Sequence, residues 1–239
     1  MKIGILGGTG NMGRGLAIRW ALKHSILLGS RSLEKAREIA KEQDAVAKGF
    51  YQADMQGSIR GELSADVAVE SEVVVVALPA TAVIPTLTLL SQLLRPNQIL
   101  ISTVVAMKKS KGLFTQAPLT DEAAKVAHGK SAAEVIQDIA VSTPVVSAFQ
   151  TVPAGYLNNI DAIMNIDVLV ASDHPQAITV ASRLIRDVPN LRPLNVGPLS
   201  NSKLIESLTP LLLNAAILNK LQEPSIRIVP WIPKSFEEE

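Results

Sequence analysis

Cysteine is absent from all 239 residues of the chain. That absence excludes disulfides, thiolate zinc, iron–sulfur ligation and a cysteine nucleophile, and it suits a reducing compartment. Aromatic residues make up only 3%, too few for the stacking platforms on which single-stranded nucleic acid is held. No charge sign dominates: 23 Lys and Arg against 22 Asp and Glu leave a net charge of +1. No global field therefore favours nucleic acid or an anionic membrane. The histidines are His24, His128 and His174. Placed at a helix end, in a loop and before a helix, they read as capping or surface residues and share no motif. Neither metal-ligand spacing nor a G-x-S-x-G nucleophile turn is present.

Long hydrophobic runs are also few. The uncharged stretch Val73–Leu94 has the length of a membrane span, but Pro79 and Pro85 interrupt it. Its β-branched opening, Val73 to Leu78, instead predicts a central parallel strand followed by a helix. The N-terminus runs from Met1 straight into a strand-like segment and glycines, without the apolar stretch of a secretory leader. A cytoplasmic protein without membrane spans is expected.

What is present alternates. Ile3–Leu6, Ile26–Gly29, Val73–Leu78, Ile99–Thr103 and Val145–Phe149 read as strands, separated by segments of helical periodicity. This predicts an α/β doubly wound parallel sheet. Ser32 is placed to cap a helix from Leu33 to about Ala47, and Ser131-Ala132-Ala133-Glu134 has the form of a capping box. Between Val104 and Gly129, with Lys108-Lys109-Ser110-Lys111-Gly112, the periodicity fades and a surface loop is expected. Residues 1–150 are assigned to a dinucleotide-binding domain and 151–239 to a smaller α/β unit. The smaller unit has a strand at Asp167–Ala171, a helix opening at Pro175, and a long apolar helix from Asn201 to Asn219 kinked at Pro210. A frayed tail, Phe236–Glu239, closes the chain.

Gly8-Thr9-Gly10-Asn11-Met12-Gly13 is a G-x-G-x-x-G between a strand and a helix, the context in which such a loop binds the pyrophosphate of a dinucleotide. NAD sites place an acid about 20 residues further on for the ribose hydroxyls. Here no Asp or Glu precedes Glu34, and the second strand ends in Gly29-Ser30-Arg31, with Lys35 one turn later. A hydroxyl, a guanidinium and an ammonium suit a 2′-phosphate, which selects NADP. The alternative is that Arg31 and Lys35 pair with Glu34 or Glu38. The poverty of acid–base groups itself favours direct hydride transfer between bound cofactors, which needs proximity more than proton chemistry.

Together with this fingerprint, four further blocks carry a family resemblance: Ser131-Ala132-Ala133-Glu134; Thr151-Val152-Pro153-Ala154; Gly197-Pro198-Leu199-Ser200-Asn201-Ser202; and Glu206-Ser207-Leu208-Thr209-Pro210-Leu211. Over nearly the whole chain the sequence resembles the NADPH:coenzyme F420 oxidoreductases. The resemblance implies hydride exchange between nicotinamide C4 and C5 of the 5-deazaflavin F420, in archaea, in the setting of methanogenesis, and in some actinobacteria. It implies that Thr9, Gly10, Asn11 and Met12 bind the pyrophosphate and adenosine side, and that Ser30, Arg31 and Lys35 bind the 2′-phosphate. Leu78, Ala82 and Val105 would line the nicotinamide riboside, and the Ala154 backbone would reach the carboxamide. The deazaflavin would stack near Val152, with Ser207 and Thr209 at its polar edge and Pro224 beside it. The orienting residues are then Val152, Ser207 and Thr209, with no acid–base catalyst and no metal. For Ser207 and Thr209 the alternative is hydrogen bonding back to helix carbonyls.

Gln150 stands where some relatives carry His, Asn195 where an acid occurs, and the stretch after Val104 is longer. Two other functions fit the fingerprint. One is an NADPH-dependent reductase of a small imine or keto acid, for which related folds use an all-helical second unit. The other is a non-catalytic NADP-sensing regulator. Small-molecule cofactors are the expected substrates, and the apolar last helix is a candidate seam for a homo-oligomer.

Overall fold

The computed structural model describes residues 1–119 and 129–229; His128 and the tail Phe236–Glu239 lie outside them. The alternating apolar runs become a six-stranded parallel sheet. Its elements in chain order are β1 (Lys2–Leu6), α1 (Asn11–Trp20), β2 (Ser25–Ser30), α2 (Leu33–Tyr51), β3 (Ser58–Leu63), α3 (Ser64–Glu70), β4 (Val73–Val76), α4 (Ala80–Leu90) and β5 (Ile99–Ser102). A hairpin, β6 (Met107–Ser110) and β7 (Leu113–Gln116), precedes α5 (Ala132–Ala140) and β8 (Val145–Ser147). The spatial order is β3-β2-β1-β4-β5-β8, so the order reverses beside β1, where a ligand crevice forms at the carboxyl ends of the strands. Both faces of β1 and β4 are covered, and Ile3, Ile5, Val74 and Val75 are fully buried.

The uncharged stretch from Val73 divides as expected into β4 and α4, with Pro79 at the N-cap. Among the described residues no helix is long and apolar enough to cross a membrane. Ser32 accepts the Lys35 N–H at 3.3 Å and starts α2. β3 has no counterpart in the sequence reading, because Ser58-Ile59-Arg60-Gly61-Glu62-Leu63 is an edge strand that buries little beyond Ile59 and Gly61. A Cβ at Gly61 would stand 2.1 Å from the Ala36 carbonyl carbon, so glycine lets α2 lie against the strand.

The expected loop after Val104 is corrected by the structure, since β6 and β7 pair antiparallel from Met107↔Gln116 to Ser110↔Leu113. Lys111 and Gly112 turn the chain with φ of 49° and 83°, the double positive φ of a tight hairpin. A partner outside the hairpin holds it: Phe114 donates its N–H to Asn214 Oδ1 at 2.7 Å, and Asn214 Nδ2 returns a bond to the Phe114 carbonyl at 2.8 Å.

The remaining elements are α6 (Ala154–Asn158), β9 (Ile166–Val170), α7 (Pro175–Arg186), β10 (Leu191–Asn195) and α8 (Ser202–Asn219). β9 and β10 form a two-stranded parallel sheet, with Pro175 opening the helix between them. Ala177, Ala181, Leu184 and Ile185 of α7 join the same buried cluster as Ile3 and Ile5. The core is continuous from the large sheet into this C-terminal unit.

The capping box at Ser131 forms, with Ser131 Oγ accepting from Glu134 N. A second carboxylate, Glu206 from α8, accepts from Ala132 N at 2.9 Å and Ala133 N at 3.1 Å. Burial raises its pKa from the ordinary 4.5 to about 7. Because the folded-state value is the higher one, the neutral form favours the fold; this contribution is complete below pH 4.5 and is lost as pH rises through about 7. At ~1.4 kcal/mol per pKa unit, wild-type protein should lose about 2 kcal/mol more stability between pH 5 and pH 8 than Glu206→Gln. Urea unfolding at the two pH values measures it, and an equal loss in both proteins rejects the assignment.

Candidate active site

At the carboxyl end of β1 the chain turns through Gly7–Gly10 into α1. A Cβ at Gly13 would lie 2.7 Å from Gly8 Cα, so glycine alone lets the helix start this close to the loop. Gly10 at the N-cap supplies no side-chain cap, and the first turn contains no acid. The N–H groups of that turn and the positive end of the helix dipole therefore remain available to an anion. Arg14 Nε donates to the Thr9 carbonyl at 3.1 Å and steadies the loop.

One strand away, β2 ends at Ser30, and Arg31 and Lys35 follow, both exposed. Among the described residues neither forms an ion pair, with Glu34, Glu38 or any other acid. The corner is cationic and uncompensated. It suits a phosphate monoester on the ribose next to the pyrophosphate loop.

From α1 a cleft of about 640 Å³ extends across the ends of β5 and β8 to α8. It brings together Asn11, Met12, Val105, Val152, Ala154, Thr209 and Pro224, which the resemblance alone had grouped. Thr9 and Gly10 sit in the adjoining loop. Leu78 and Ala82 follow β4 and are half-buried, but they do not line this cleft. Nor does Ser207, whose hydroxyl faces the Lys203 carbonyl at 2.7 Å and Gln116 Oε1 at 2.8 Å. Thr209 instead donates to the Gln150 carbonyl at 2.9 Å, tying α8 to the loop after β8.

Several residues that shape the cleft carried no sequence signal. Phe149 is fully buried with φ of 72°, a conformation costing about 1–3 kcal/mol for a non-glycine residue. Its ring meets Trp20 edge-to-face at 5.6 Å, and the turn it makes delivers Gln150 to Ala154 into the cleft. Arg19, buried on α1, donates to the carbonyls of Tyr156 at 2.9 Å, Leu157 at 3.2 Å, Asn159 at 2.6 Å and Ala162 at 3.4 Å. It caps α6, whose Ala154, Gly155 and Asn158 line the cleft. Asn158 Nδ2 also bonds the Asn11 carbonyl at 2.8 Å.

The strap after α8 closes the far side. Buried Asp167 accepts from Arg192 Nε and Nη2 at 2.7 Å each, from Arg227 at 3.0 Å and from the Ile228 N–H at 2.6 Å. The Arg192 guanidinium leads the effects that hold its carboxyl below the usual carboxylate range. Ser225 Oγ donates to the Thr151 carbonyl at 2.6 Å. These contacts fix Glu223 and Pro224 against the cleft.

Glu223 is the one ionisable side chain among the described lining residues. His24 lies elsewhere, 2.9 Å from Asp187, and His174 is at the N-cap of α7. Gln150, 5% exposed, donates Nε2 to the Ser102 carbonyl and to Ser147 Oγ, both at 2.8 Å. Its Oε1 is buried with no donor, an acceptor that fits an N–H or O–H of a bound ring. The uncapped helix, cationic corner and orphan acceptor together fit a dinucleotide phosphate and a second polar-edged ring.

Comparison with known proteins agrees with this geometry. A family model described as NADP oxidoreductase, coenzyme F420-dependent, matches residues 2–106. The chain is 34% identical over 233 residues to the F420-dependent NADP reductase of Methanocaldococcus jannaschii, covering 95% of this chain and 98% of that protein. It is 33% identical over 231 residues to the protein of the same name from Methanothermobacter marburgensis, covering 95% and 98%. A solved chain from Arthrobacter sp. FB24 shares the fold with a TM-score of 0.74 at 22% identity, over 96% of this chain and 100% of that one. Alignment over nearly the full length of both curated relatives, with the fingerprint and cleft in place, shows that this chain belongs to the F420-dependent NADP reductases.

Proposed function

We propose that the chain transfers a hydride directly between NADP(H) and coenzyme F420. The observation carrying this reading is the single cleft that joins the uncapped start of α1 to the walls made by Val152, Leu212 and Leu213. Nicotinamide and deazaflavin, when bound, supply the hydride donor and acceptor. The protein supplies position: the α1 loop holds the pyrophosphate, Ser30, Arg31 and Lys35 hold the 2′-phosphate, and Val105 and the Ala154 backbone orient the nicotinamide end. Val152, Thr209 and Pro224 hold the second ring. Reacting atoms brought to about 3–3.5 Å gain from proximity what no acid or base in the cleft is required to give.

NADPH carrying deuterium at the transferred C4 position is expected to pass that label to C5 of oxidised F420, while solvent supplies only the exchangeable ring N–H proton and solvent deuterium stays out of C5. Mass spectrometry of the reduced deazaflavin decides it. Product lacking the C4 label, under conditions without back exchange, would sink the direct mechanism.

The same reading makes the enzyme a cytoplasmic homo-oligomer. Supporting the oligomer, α8 presents Leu204, Leu211 and Leu218 at 69%, 62% and 67% exposure. Their seven-residue spacing forms one stripe, which a second copy of the helix can cover. Sedimentation velocity gives the oligomeric state, and a monomer at micromolar concentration counts against it.

A further inference from the structure

Between Glu72 and Asp121 the sequence contains no acidic residue, and the β6–β7 hairpin in that interval carries Lys108, Lys109 and Lys111, all exposed. None of the three forms an ion pair among the described residues. The hairpin adjoins the cleft directly, because Met107, its first residue, lines it. Side chains two apart on a strand share a face, so Met107 and Lys109 point the same way as their partners Gln116 and Phe114. Gln116 meets Ser207 of α8 and Met107 lines the cleft, so that face lies toward the helix and the cleft, with Lys108 on the opposite one. Lys109 Nζ sits 5.3 Å from the centre of the Phe114 ring, an aromatic contact that restrains the ammonium without neutralising it. At about 3.4 Å per residue, Lys109 lies roughly 7 Å beyond Met107 and the Lys111 turn roughly 14 Å beyond it.

The cleft itself supplies no cation: Glu223 is the only charged side chain among its described lining residues. A deazaflavin coenzyme whose side chain ends in a phosphodiester and γ-linked glutamates brings several negative charges to a site that cannot neutralise them inside. We infer that the β6–β7 hairpin is a subsite for this anionic tail, with Lys109 on the cleft-side face and Lys111 at the turn reading its phosphate and carboxylates as they leave the cleft. This rests on the F420 reading above and adds a chain-specific recognition element to it.

The test measures binding rather than turnover. Dissociation constants for F420, for the tail-less 8-hydroxy-5-deazariboflavin core and for NADP are determined by fluorescence titration and equilibrium dialysis. Wild type is compared with Lys109→Ser/Lys111→Ser, and with Lys108→Ser as the opposite-face control, at two salt concentrations. Exposed ion pairs contribute a factor of about two each, so F420 binding should weaken about fourfold in the double variant and lose most of its salt dependence, while Lys108→Ser should leave it within about 1.5-fold. Binding of the tail-less core and of NADP should stay within twofold. Unchanged F420 affinity, or an equal loss for the core and F420, overturns the subsite while leaving the deazaflavin reading intact. Failure of wild type to bind either deazaflavin overturns both.

Discussion

Arg31→Ala is expected to weaken NADP binding about tenfold or more while leaving NAD binding nearly unchanged. The expectation joins a sequence fact to a structural one. No acid precedes Glu34, so the end of β2 has no carboxylate for a free ribose hydroxyl. Arg31 and Lys35 stand exposed there without ion-pair partners among the described residues. A charge-assisted bond to phosphate contributes roughly 1.5–3 kcal/mol. Adding Lys35→Ala should deepen the loss, and Ser30→Asp should repel the 2′-phosphate while offering NAD an acceptor. Dissociation constants for both nucleotides at one ionic strength are the measurement. Equal losses for NADP and NAD would mean that Arg31 supports the loop instead of reading the phosphate. Wild type that binds NAD as tightly as NADP would remove the assignment altogether.

The second large effect is predicted at a residue no motif marks. Arg19→Leu removes the donor shared by four carbonyls of residues 156–162. Losing a buried charged partner leaves polar groups uncompensated, typically at a cost of about 3–5 kcal/mol. For a chain of this size the midpoint of thermal unfolding should fall by roughly 10 °C. Since α6 supplies Ala154, Gly155 and Asn158 to the cleft, nicotinamide binding should weaken in the protein that remains folded. Arg19→Lys keeps the charge and loses the fork of donors, so it should fall between the two. A folded Arg19→Leu protein within 1 kcal/mol of wild type by denaturant unfolding would show that α6 holds its place without the guanidinium.

The sequence by itself determined the features that rest on neighbours a few residues apart. The strand–glycine–helix start, the Ser32 cap of α2, the Ser131 capping box and Pro175 at the head of α7 all formed where the sequence placed them. Each uses hydrogen bonds or steric limits that span at most five residues. The same locality let Ser30, Arg31 and Lys35 be read as one cationic corner, since a strand end and the next helical turn bring them together.

Tertiary structure alone decided what depends on distant partners. β3 and β10 are edge strands with weak patterns; β10 contains Pro193 and is set by pairing with β9 and by the Arg192–Asp167 bond. The β6–β7 hairpin lies in an interval without helical or strand periodicity and is docked by Asn214, 100 residues from Phe114. Ser207 and Thr209 are two positions apart on one helix, and only the packing of α8 turned Thr209 toward the cleft and Ser207 toward the hairpin. Arg19, Phe149, Glu206 and Asp167 are single polar or strained residues with no local signature. Their roles arise because a buried charge, carboxylate or positive φ persists only where the folded chain surrounds it with partners from elsewhere.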